Sequence, residues 1–140
     1  MLKTIALMTA RLIFGGVFLM AAGFKFADIS ATGAYISSAG FPYPLVLAWL
    51  AAAFEIGLAA ALLTGAFFAE AALAAAAYVL FLALAFHGPA RWVSNQAEFG
   101  FFIDHFTFIA GLLFAAVHGP GERAALHWRL IGQRSRATRA

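Results

Sequence analysis

Four long apolar runs, each about the length needed to cross a lipid bilayer, constrain this chain more than any other feature. A membrane helix takes about 20 mainly apolar residues to span a hydrocarbon core roughly 30 Å thick. The runs cover residues 4–26, 45–63, 66–86 and 99–117. Between them stand residues that end helices: Gly33, Gly40, Pro42 and Pro44, then Thr64-Gly65, then Gly88-Pro89, and finally Gly119-Pro120-Gly121. Composition agrees, with 64% hydrophobic and 11% charged residues and a mean hydropathy of +0.91. A soluble domain is about half apolar and about a quarter charged. The expectation is an all-α, integral membrane four-helix bundle, with residues 1–140 as one transmembrane domain.

Charge placement gives an orientation. Arg123, Arg129, Arg134, Arg136 and Arg139 make residues 122–140 a basic tail, while Lys3 and Arg11 lie at the other terminus. By the positive-inside rule both termini are expected in the cytoplasm. The tail has little aromatic interleaving, so it reads as a membrane anchor and not as a nucleic-acid surface. Arg11 interrupts the first apolar run, which argues against a cleaved signal peptide. Tyr43, Trp49, Trp92 and Trp128 fit interfacial positions.

Ionisable groups inside spans usually face the bundle interior and have partners. The candidates for an intramembrane polar site are Arg11, Lys25, Glu55, Asp104 and His105. Arg11, Gly15, Phe18, Ala22 and Lys25 share one face of the first helix, and Ala48, Ala52, Glu55, Ala59 and Leu62 one face of the second. On the fourth, Asp104, Phe108, Gly111, Ala115 and His118 line up. At about 1.5 Å per residue, Glu55 lies roughly 15 Å and Arg11 roughly 21 Å below the same surface. That makes Arg11–Glu55 the favoured buried pair, with Lys25 near the surface beside Asp104 and His105, and Glu70 at the opposite end reaching water.

Cysteine is absent, which removes disulfides, thiolate metal sites and iron–sulfur ligands from this chain. His87 and His105 on neighbouring helices invite a haem reading. Four histidines require no metal, however, and none is assigned. No phosphate-binding loop, dinucleotide fingerprint, zinc-protease motif or nucleophile elbow occurs. No catalytic residue can be named from the residues alone.

The run Arg11-Leu12-Ile13-Phe14-Gly15-Gly16-Val17-Phe18, followed by Gly23-Phe24-Lys25, resembles the opening of DoxX-family membrane proteins. Gly40-Phe41-Pro42-Tyr43-Pro44 is similar to the family's loop before the second helix. Ala53-Phe54-Glu55-Ile56-Gly57, Leu62-Leu63-Thr64-Gly65 and Gly119-Pro120-Gly121 resemble later parts of its pattern. The resemblance implies a four-helix fold in a bacterial-type inner membrane, with Arg11, Lys25 and Glu55 as the family-like polar residues. Asp104-His105 is not part of that pattern. The family is named for a subunit of a thiosulfate:quinone oxidoreductase. The expected role is therefore an accessory subunit of a quinone-linked oxidoreductase complex, with a quinone as the candidate cofactor and redox-complex subunits or further copies of the chain as candidate partners. The alternative is a structural, lipid-binding or transport protein with no redox chemistry.

Overall fold

The computed structural model describes residues 1–126, Trp128 and Leu130. Arg129, Arg134, Arg136 and Arg139, which figure in the reading of the tail, lie outside the described residues. Those described form helices and turns with no strand. The helices are α1 (Leu2–Ala27), α2 (Ile29–Ser38), α3 (Pro44–Thr64), α4 (Phe68–His87) and α5 (Gln96–His118), with a 3-10 turn at Pro89–Arg91. Four of them, α1, α3, α4 and α5, are long and apolar enough to cross a membrane.

Helix α2 is a correction to the sequence reading, which treated 28–44 as a break. Asp28 ends α1 and also starts α2, its Oδ1 accepting the Ala31 N–H at 2.9 Å. Thr32 Oγ1 donates to the Asp28 carbonyl at 3.2 Å, so this hydroxyl is satisfied within the helix. Gly33 is buried beside Leu45 at the start of α3. The real break follows, at Gly40 with φ +83°.

The remaining boundaries have ordinary causes. Pro44 begins α3, where a missing N–H costs nothing. Gly65 closes α3 at φ 80°, its N–H donating to the Ala61 carbonyl at 2.9 Å. Helix α4 starts at Phe68, two residues later than expected, because Phe67 takes a left-handed conformation. It stops before Gly88-Pro89, which cannot continue it. Asn95 caps α5, accepting from the Ala97 N–H at 3.0 Å.

Helix α1 lies along α3, and α4 along α5, while α2 packs on α3. The core joins Phe18 of α1, Leu58 and Leu62 of α3, Phe68 and Val79 of α4 and Leu112 of α5. The small faces expected of α1 and α3 are the buried ones. The expected face of α5 is rotated: Leu112 is its buried residue, and Asp104 and His118 are exposed. At about 100° per residue, the inward arc through His105, Phe108 and Leu112 leaves Asp104 on its edge.

Gly15 sets the contact of α1 with α3. A Cβ there would overlap Leu63, with Cδ2 at 2.6 Å, whereas at Gly16 it would meet nothing within 4 Å. Gly15→Ala is therefore expected to lower stability by about 1–3 kcal/mol through overpacking, while Gly16→Ala changes it little. Thermal unfolding of the two variants in one detergent checks this; equal midpoints would refute the close contact.

Candidate functional site

Each of the two intramembrane cations of α1 has a different partner from the one the sequence predicts. Lys25 Nζ lies 2.9 Å from Glu55 Oε1. Glu55 is 1% exposed, and the Lys25 side chain 21%. Tyr78 Oη, from α4, donates to the same Glu55 oxygen at 2.9 Å. Three helices thus meet at one carboxylate. Its other oxygen, Oε2, is buried with no hydrogen-bond partner among the described residues.

Arg11, 5% exposed, does not reach Glu55. Its Nε donates to the Leu62 carbonyl at 3.4 Å and Nη2 to Leu63 at 2.5 Å, both at the C-terminal end of α3. The same guanidinium donates to the carbonyls of Pro120 at 3.3 Å, Arg123 at 3.2 Å and Ala124 at 2.8 Å, all beyond α5. The last carbonyls of a helix lack intrahelical partners and carry its negative dipole end, so a cation suits them without a carboxylate.

The reason for the exchange of partners is register. The depth estimate set the start of α3 level with the end of α1. Gly15 against Leu63 and Lys25 against Glu55 instead shift α3 along α1 by about two and a half turns. The first turns of α3 pack with α2, the helix the sequence reading missed. Glu70 also departs from expectation: its Oε1 accepts the Leu130 N–H at 2.8 Å. The segment after α5 is further held by Phe67 N–H to the Trp128 carbonyl (2.8 Å) and Leu126 N–H to the Thr64 carbonyl (2.9 Å).

Above the Lys25–Glu55–Tyr78 cluster is a cavity of about 850 Å³. Helices α1, α2, α3 and α4 form most of its wall, and His105 adds a contribution from α5. The wall is largely apolar, with Phe24, Phe41, Phe54, Phe81 and Phe86 among its residues. Phe24, Phe54 and Phe81 of this wall are exposed, so the cavity is open to the surface of the bundle. Its polar groups include Lys25 and Tyr78 at one place, Asp28 and Thr32 at the junction of α1 and α2, and a set made by Tyr35, His87 and His105 near the ends of α2 and α4.

The set near the ends of α2 and α4 is ordered. His87 Nδ1 is 2.6 Å from Glu98 Oε2, and Trp92 Nε1 donates to the His87 carbonyl at 2.8 Å. The rings of His87 and His105 lie 5.0 Å apart, and Tyr35 stacks on Phe86 with centroids at 5.0 Å. Partial burial raises the Tyr35 pKa, with Arg91 opposing and Glu98 adding, so its hydroxyl stays a neutral donor. His105 Nδ1 is committed to the Phe101 carbonyl at 2.6 Å.

Of the five predicted site residues, Lys25 and His105 line the cavity and Glu55 stands directly behind it. Arg11 is at the other end of the bundle and Asp104 is turned outward. Sequence reasoning missed Tyr78 and the His87–Glu98 pair. Tyr78 carried one usable signal, as the lone hydroxyl in the alanine-rich run of α4. Among the described residues no group of three or more metal-ligating side chains gathers.

Comparison with curated proteins and with solved structures finds no match. The DoxX family model matches residues 6–88, more than half of the chain, from α1 through α4. The matched region holds Arg11, Lys25, Glu55, Tyr78 and His87, and stops short of Asp104 and His105. With that match set beside four membrane-spanning helices, this chain belongs to the DoxX family.

Proposed function

We propose that this protein is a small subunit of a quinone-linked membrane oxidoreductase, and that the cavity above Lys25 and Tyr78 receives the quinone head group. One observation carries the reading: an aromatic cavity open to the surface of the bundle ends on proton-carrying side chains. A quinone ring is flat, apolar on its faces and polar at two opposite carbonyls. Phenylalanine side chains suit the faces. Lys25 at one end and Tyr35 or a histidine at the other suit the carbonyls. Reduction of a quinone to a quinol takes two electrons and two protons. In this reading Lys25 and Tyr78 exchange protons with the inner carbonyl, Glu55 behind them exchanges protons with both, and the electrons come from a partner subunit or a soluble donor.

The outward Asp104 supports an accessory role, since a carboxylate on a lipid-facing helix is stabilised by a donor on a neighbouring helix. We place the whole chain, as one DoxX-like domain, in a bacterial-type inner membrane with both termini cytoplasmic. Lys3 and Arg123 support that orientation under the positive-inside rule. The competing reading, a structural or lipid-binding protein, is favoured by the pairing of Lys25 and Tyr78 with the same Glu55 oxygen, which joins three helices.

The test is binding of a short-chain ubiquinone to the purified chain, followed by native mass spectrometry. Wild type should hold one quinone, and Ala51→Trp, which fills the cavity from α3, should lose it while unfolding at a similar temperature. A wild-type chain that takes up no quinone at saturating concentration would sink the proposal.

A further inference from the structure

A second cavity, of about 340 Å³, lies at the opposite end of the bundle, between the first turns of α1 and the segment after α5. Lys3, His118 and Arg123 line it with one carboxylate, Glu122, and Leu7 and Met8 form an apolar side. Lys3, His118 and Arg123 are exposed. His118 Nδ1 donates to the Phe114 carbonyl at 2.9 Å, which leaves Nε2 for a ligand.

The wall is held from behind by Arg11. Two of its hydrogen bonds go to the Pro120 and Arg123 carbonyls, which belong to residues of that wall. All five of its hydrogen bonds go to backbone carbonyls, and among the described residues it has no ion pair. Its charge is therefore spread on dipoles and is not cancelled. The cavity itself sets Lys3 and Arg123 against the single carboxylate of Glu122, and Arg11 adds a further cation behind its wall.

A surplus of positive charge at the rim of a membrane bundle attracts anions, and phosphate oxygens accept well from arginine and lysine. We propose that this cavity binds the phosphate of an anionic phospholipid headgroup. The lipid source follows from what adjoins it. Leu12 on α1, and Phe114 and Val117 on α5, are exposed apolar side chains within about one turn of the lining residues Met8 and His118, where acyl chains would lie. A zwitterionic headgroup brings its own ammonium to the same cations and is disfavoured. The site is separate from the quinone cavity and does not rest on it.

Native mass spectrometry of the full chain in mild detergent tests this with two probes, phosphatidylglycerol and phosphatidylcholine. Wild type should retain phosphatidylglycerol at about tenfold lower concentration than phosphatidylcholine, and the double variant Lys3→Gln/Arg123→Gln should bring the two within about twofold. Both side chains are exposed, so the double variant should unfold at the wild-type temperature. Arg91→Gln, a neutralisation at the other end, should leave the preference intact. Equal retention of both lipids by wild type would overturn the proposal, as would a preference that survives the double substitution. Displacement of the lipid by millimolar inorganic phosphate would also overturn it, by assigning the cavity to free phosphate.

Discussion

Arg11→Met should lower the stability of the bundle by on the order of 3–5 kcal/mol, through the backbone carbonyls it leaves unpaired. The guanidinium ties the end of α3 to the Pro120–Ala124 segment through five hydrogen bonds to their backbone carbonyls. Methionine fills similar volume but donates nothing, and the orphaned carbonyls each cost about 1–3 kcal/mol unless water reaches them. Lysine should recover less than half of the loss. Its ammonium is a point donor on a flexible stem and cannot serve carbonyls from two segments in one plane. Thermal unfolding of wild type, Arg11→Lys and Arg11→Met in the same detergent reads the series. An Arg11→Met chain within about 1 kcal/mol of wild type would mean that water already satisfies these carbonyls.

The same arginine shows what was legible in the sequence and what was not. The four spans, their faces on α1 and α3, and the burial of Arg11 and Glu55 follow from apolar run length and helical spacing. Those are local properties, repeated every turn. Partner choice is not local. It depends on how far α3 slides along α1, and this was fixed by a ten-residue helix hidden in a serine- and glycine-containing stretch. Once α2 is present, Lys25 meets Glu55 and Arg11 meets the end of α3.

The fourth span was less legible for a different reason. Residues on both sides of α5 are apolar, because one side meets α4 and the other is exposed. Periodicity then has no contrast to work with, and the face containing Asp104 was a reasonable but displaced choice. The cavity could not be read at all. Its wall draws residues from α1, α2, α3, α4 and α5, and phenylalanine that lines a cavity has the same sequence signature as phenylalanine that faces lipid.

The Lys25–Glu55 pair decides between the two functional readings, because stability and binding respond to it differently. Glu55→Gln keeps the shape but leaves Lys25 without a counter-charge, and Lys25→Met leaves a carboxylate that is 1% exposed with Tyr78 alone. Each single change should cost about 2–4 kcal/mol, since breaking a buried pair strands the remaining charge. The double variant Lys25→Met/Glu55→Gln strands none and should be at least as stable as either single one. That non-additivity is expected whether or not the site has a function. Quinone uptake separates the cases. If Lys25 donates to the bound ring, the double variant regains stability and still fails to hold quinone. Recovery of uptake together with stability would show that the pair only keeps α1 and α3 in register, and that the cavity binds its ligand through the aromatic wall alone.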